Sequence, residues 1–126
     1  MNTQPNHIEG INDSRMELYR NMTPETLKLM IEDTLSTIAM LGETAAMKAE
    51  DCSENTRVDT GTLRNWTREE SVTYNDLHSA AMRAYATSVR ESIDEPETNA
   101  LRQVLWEILC SNHIFRELTH IYEAAQ

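Results

Sequence analysis

Glycine and proline are scarce in this sequence, with three of each in 126 residues. Sheets depend on tight turns, and tight turns draw on these two residues and on Asn-Gly pairs. Their shortage excludes a many-stranded fold and points to a few long helices. It also leaves no phosphate-cradling glycine loop and no nucleophile elbow. Aromatic residues make up only 6% of the chain. The two cysteines, Cys52 and Cys110, are far apart, so no Cys-x-x-Cys pair is available for zinc or disulfide exchange. No apolar run approaches the roughly 18 residues of a membrane span, and no signal-like apolar segment follows the N-terminus. The expectation is a reduced cytoplasmic protein, of a bacterium or an infected host cell, with two free thiols.

Positive charge is also short. Eleven Lys and Arg stand against 21 Asp and Glu, a net charge of −10. Such a chain lacks the basic footprint for direct nucleic-acid binding and is repelled by anionic membranes. A protein with a basic patch is the better partner. Nine of the eleven basic residues are Arg, the cation favoured in bidentate pairs and interfaces.

What is present is helical pattern. Residues 1–13 are polar and aperiodic and read as a flexible N-terminal tail, with residues 14–126 as a single helical domain. "SRMELYRNM" predicts a short helix anchored by Met16, Leu18 and Tyr19. Thr23 is a good N-cap with Pro24 at the first helical position. From there Leu27, Ile31, Leu35, Ile38, Leu41 and Ala45 recur at helical spacing to about Asp51. Gly42 interrupts this stripe, either as a kink or as a place of close approach. "SENTRVDTGTLRN" reads as loop. Thr67 and Glu70 form a capping-box pattern with Trp66 at the staple position. The helix it predicts runs to about Glu91 with a stripe of Tyr74, Leu77, Ala81, Tyr85 and Val89. Its run of small residues makes it the most enclosed helix. Asp94 with Glu97 predicts the last cap, and one helix continues through Ser111–His113 to the end. The fold class is all-α, a compact bundle of three to five helices, three long and one or two short.

Three constellations bear on function. His113, Glu117 and His120 fall on neighbouring positions of the last helix. They read either as a metal site for a helical enzyme or as a solvated strip with a Glu–His hydrogen bond. Glu-x-x-His occurs once, whereas di-iron bundles use it twice. Acidic residues form the second group. Glu25, Glu32, Asp33, Glu43 and Glu50 line the outer face of the first long helix, and Glu91, Asp94, Glu95 and Glu97 gather at a corner. They serve solubility and capping, or imitate phosphates for a basic groove. The third is surplus apolar surface: Trp66, Trp106, Met40, Met47, Leu29 and Ile114 lie off the main stripes. A helix apolar on two sides is covered on two sides, which predicts a homodimer or another protein partner. Trp106, Arg102, Arg116, Tyr122 and Trp66 are the candidate anchors. The reading is a small acidic non-enzymatic regulator or inhibitor, of the kind a phage or mobile element encodes. No cofactor is expected. The alternatives are an acidic nucleic-acid mimic and a metal-dependent enzyme.

Overall fold

The computed structural model describes residues 14–52, 60–68 and 71–126. Its helices are α1 (residues 14–20), α2 (Pro24–Asp51), α3 (Gly61–Asn65), α4 (Tyr74–Arg90) and α5 (Pro96–Ala124). No strand occurs among the described residues, so the chain is all-α with three long and two short helices. The expected tail, residues 1–13, lies outside the described residues.

The spine is an antiparallel pair, α2 and α5. Leu27 at the start of α2 meets Leu118 and Ile121 near the end of α5, and Tyr19 of α1 closes this cluster. At the other end, Ala45, Ala49 and Cys52 pack with Leu101, Leu105 and Ile108, and α3 and α4 close that cluster with Leu63, Leu77, Ala80, Ala81 and Ala84. Two cores therefore lie end to end along one helix pair. The short helix α1 is anchored by Tyr19 and half-buried Met16, but Leu18 points out and is exposed.

Helix α2 starts where capping chemistry puts it. Thr23 Oγ1 accepts from the backbone N–H of Thr26 at 3.2 Å, with Pro24 following. The helix ends at Asp51. Gly42 explains itself through Trp66. A Cβ on Gly42 would lie 2.5–2.9 Å from atoms of the Trp66 indole, and the indole Nε1 donates to the carbonyl of Ala39 at 3.2 Å. Gly42 is thus a seat for a side chain, not a kink.

This seat overrides the Thr67 capping box. Trp66 is drawn onto α2, Thr67 and Arg68 lie in a turn, and Glu69 and Glu70 fall outside the described residues. Helix α4 begins instead at Tyr74. Thr73 Oγ1 accepts from the Asp76 N–H at 3.1 Å, and the Asp76 carboxylate accepts from the Thr73 N–H at 3.0 Å. The Thr73 N–H, and then the Thr73 hydroxyl, hold the Asp76 carboxyl below its ordinary range. The loop expected before it contains α3, nucleated around fully buried Leu63. Burial of one such leucine contributes about 1.5–3 kcal/mol.

The buried face of α4 is Leu77, Ala80, Ala81, Ala84 and Ser88. Tyr74, Met82 and Val89 are exposed. The expected stripe is therefore rotated toward the small residues. They let α4 lie close against α5, and the larger side chains turn outward. The most embraced helix is α5, which packs against both α2 and α4; α4 rests on α3 and α5.

The α4–α5 corner is a Schellman turn. Ser92 N–H donates to Val89 O at 3.0 Å and Ile93 N–H to Ser88 O at 3.1 Å. Ser92 adopts φ 51°, the left-handed conformation that glycine usually supplies here. Helix α5 follows with Glu95 as N-cap and Pro96 first, without a side-chain capping bond. Asp94, the expected cap, accepts from Asn99 Nδ2 instead. The helix is continuous through Ser111–His113, as the pattern predicted.

Candidate functional site

The polar strip on α5 holds two of its three members together. Glu117 is nearly buried, its side chain 11% exposed. One oxygen accepts from His113 Nε2 at 3.1 Å. Arg15 of α1 reaches the same carboxylate, with Nη2 2.6 Å from Oε1 and Nε 3.4 Å from Oε2. This two-pronged contact ties α1 to α5 across 102 residues of sequence. Arg15 and Glu117 also act in opposite senses on buried Tyr19. Burial raises the pKa of its phenol, Arg15 lowers it, and Glu117 raises it. His120 is not part of this group. It is exposed and lines a separate groove with Arg20. Among the described residues no group of three His, Cys, Asp or Glu side chains is placed to hold a metal ion. A guanidinium occupies the carboxylate a metal would need.

The interface candidates separate into internal and external roles. Arg102 works inside the chain. It donates to Ser88 Oγ at 3.0 Å, to Ser88 O at 3.3 Å, to Ile93 O at 2.5 Å and to Asn99 Oδ1 at 2.8 Å. It thereby gives the Ser88 carbonyl a second donor beside Ile93 N–H and satisfies the Ile93 carbonyl in the α4–α5 turn. Trp66 is also engaged internally, against Gly42 and edge-on to Tyr74 with ring centres 5.2 Å apart. Tyr122 is half-buried on the second core. Arg116 is exposed with Nη2 3.4 Å from His78 Nδ1. Burial, and then this guanidinium, lower the pKa of His78.

Trp106 is different. It is 54% exposed, with its ring 5.5 Å from that of Tyr85. Met82, Tyr85 and Val89 share one face of α4 by their spacing of three and four, and Met82 and Val89 are 51% and 53% exposed. A shallow hollow of about 390 Å³ opens beside Trp106, lined by Tyr85, Arg102, Gln103 and Glu107. No single motif announces this face. Trp106 lies off the main stripe of its helix in sequence, but Val89 falls on the stripe expected to be buried.

The acidic residues divide as well. Glu25, Glu32, Asp33 and Glu43 are exposed on α2. Glu50, on the same helix, pairs with Arg68. Glu95 and Glu97 converge with Asp51 around Cys52 where the end of α2 meets the start of α5. Burial raises the pKa of the Cys52 thiol, the Thr98 hydroxyl beside it lowers it, and nearby Asp51, Glu97 and Glu95 raise it further. Cys52 is buried and Cys110 is exposed, both as free thiols. No described helix is long and apolar enough to cross a membrane. Comparison of the chain with protein-family models, with curated proteins and with solved structures gives no match.

Proposed function

We propose that this is a small acidic protein that acts by binding another protein, as a regulator or inhibitor without chemistry of its own, and that the α4–α5 face is where the partner docks. The observation that carries this reading is Trp106, more than half exposed and stacked with Tyr85 beside outward-turned Met82 and Val89. Tryptophan and tyrosine are the residues most often found to dominate binding energy at interfaces. An aromatic pair with apolar side chains exposed on α4 and polar Gln103 and Glu107 around it is a ready anchor, and the firmly bonded Arg102 supports its rim.

The first partner to test is a second copy. Sedimentation velocity on the wild type and on Trp106→Ala gives the mass directly. The dimer version expects twice 14.5 kDa for the wild type and a single chain for the variant. If both are single chains, affinity capture from the native host, with Trp106→Ala as the control bait, tests a different partner. A wild type that is monomeric and captures nothing that the variant releases would end this reading.

A second reading is favoured by one feature of α2. Glu25, Glu32, Glu43 and Glu50 are separated by seven, eleven and seven residues, each step within about 20° of whole helical turns. They therefore form one line on the outer surface. Such a line suits a basic groove made for nucleic acid. Capture that collapses as salt rises from ~50 to ~200 mM, and survives Trp106→Ala, would support it over the apolar face.

A further inference from the structure

The groove where the α1–α2 turn meets the end of α5 is independent of the Trp106 face. It encloses about 330 Å³ and is lined by Arg20, Met22, Leu27, His120, Ile121, Ala124 and Ala125. That volume is at the lower end of the range of small-molecule sites, roughly 300–1,000 Å³. Its floor is Leu27 and Ile121, both almost fully buried in the second core. Met22 adds an adaptable wall. Ala124 and Ala125 keep the mouth open, because neither carries a side chain beyond Cβ. Among the lining residues five are apolar, one is an arginine, one is a histidine, and none is acidic.

The distribution of charge selects the ligand. In a chain of net charge −10, a hollow with no carboxylate and with Arg20 and His120 at its exposed rim is a local reversal of sign. No described hydrogen bond or ion pair engages either side chain. The start of α2 meets the ends of α1 and α5 here, so helix-end charges of both signs are present. Arg20 and His120 are the lining side chains able to meet an anion. An apolar floor below the Arg20 guanidinium and the His120 ring matches a molecule with a short hydrocarbon body and an anionic head.

We propose that this groove binds a small amphipathic carboxylate, a straight-chain acid of about six to eight carbons, with the chain on Leu27, Met22 and Ile121 and the carboxylate on Arg20 and His120. Each methylene buried contributes about fourfold in affinity, until the floor is full. The carboxylate gains a charge-assisted hydrogen bond that an alcohol of the same length cannot make.

The test is a chemical-shift titration of the full chain with hexanoate, octanoate and 1-octanol. The proposal expects octanoate to shift the methyl signals of Leu27, Met22, Ile121 and Ala124. It expects hexanoate to bind at least fivefold more weakly, and 1-octanol at least fivefold more weakly than octanoate. Arg20→Gln should bring octanoate close to 1-octanol. Ala124→Phe, an exposed position near the end of α5, should fill the mouth and abolish binding while the melting curve stays unchanged. Absence of shifts at millimolar octanoate overturns the proposal. So do shifts centred on Trp106, equal binding of acid and alcohol, or undiminished binding by both variants.

Discussion

Gly42 and Trp66 form a pair whose energies can be separated. A helix-interior glycine costs up to ~1 kcal/mol against alanine, so Gly42→Ala alone looks favourable. The indole stands where the new Cβ would go, with Nε1 at 2.5 Å and Cδ1 at 2.8 Å. Overpacking of this kind costs roughly 1–3 kcal/mol, and displacing the ring strains its bond to Ala39 O. Gly42→Ala should therefore destabilise the wild type by about 1–2 kcal/mol and, in a Trp66→Ala background, stabilise by up to ~1 kcal/mol. Urea denaturation of the four proteins gives the cycle. The same sign in both backgrounds would mean that Trp66 does not sit on Gly42. His78 makes a second residue-scale case. Burial and Arg116 lower its folded pKa below the ordinary 6.5, whereas an unfolded histidine takes its proton near pH 6.5. The unfolded chain then binds more protons in that window. Stability is complete above it and falls as the pH drops through the folded pKa. Arg116→Gln should lessen the fall in melting temperature between about pH 7.5 and about pH 5.5, without removing it, because burial is the larger cause. An identical fall in both proteins would place the effect on another group.

At the scale of elements, two capping patterns compete for the start of α4, and the sequence contains both. Thr67 with Glu70 and Thr73 with Asp76 are each an acceptor followed three residues later by an acid. Local pattern alone does not choose between them. The choice is made by Trp66, whose docking onto α2 holds residues 66–68 in a turn, and that contact spans 27 residues of sequence. Thr73→Ala should cost about 1 kcal/mol, while Thr67→Ala should be near neutral; a reversed order would return the helix start to Thr67. The end of α4 gives the complementary prediction. Ser92 carries the left-handed φ at the Schellman position, so Ser92→Gly should raise stability by about 0.5–1 kcal/mol, read as a higher urea midpoint at unchanged slope. The long helices, the start of α2 and the continuity of α5 were legible because apolar spacing and an N-cap threonine are local signals. The buried face of α4 was not. Ala80, Ala84 and Ser88 carry little hydrophobic signal and are interior because α5 lies close by, whereas Met82 and Val89 carry a strong signal and are exposed. The Arg15–Glu117 clamp was equally hidden, since nothing near Glu117 in sequence names a partner 102 residues away. The Glu117–His113 bond was visible from their spacing of four.

For the whole molecule, the two cores are separate clusters strung along α2 and α5, and Asn112 is buried where they join. It lies on α5 between Ile108 of one core and Leu118 of the other and is 6% exposed. Its Nδ2 has no hydrogen-bond partner among the described residues. An unsatisfied buried donor costs about 1–3 kcal/mol of desolvation. In the spacing of α5, Thr98, Leu101, Leu105, Ile108 and Asn112 alternate by three and four, the period of a coiled-coil seam. A polar residue at one seam position fixes register at a cost in stability. Asn112 holds such a position in the arrangement that puts Leu27 with Leu118 and Ala49 with Leu101, and its substitution tests whether it sets that register. Asn112→Leu replaces it with a side chain of similar size that needs no partner. It should raise stability by about 1–3 kcal/mol and join the two cores into one apolar seam. Urea denaturation reports the gain, and backbone chemical shifts of α1 and α3, at opposite ends, report whether the register holds. Higher stability with unchanged shifts would mean that packing alone aligns α2 with α5. Higher stability with displaced shifts at both ends would show Asn112 setting the alignment. A loss of stability would mean that the Asn112 amide is satisfied in the folded chain, and the account of the join between the cores would be wrong.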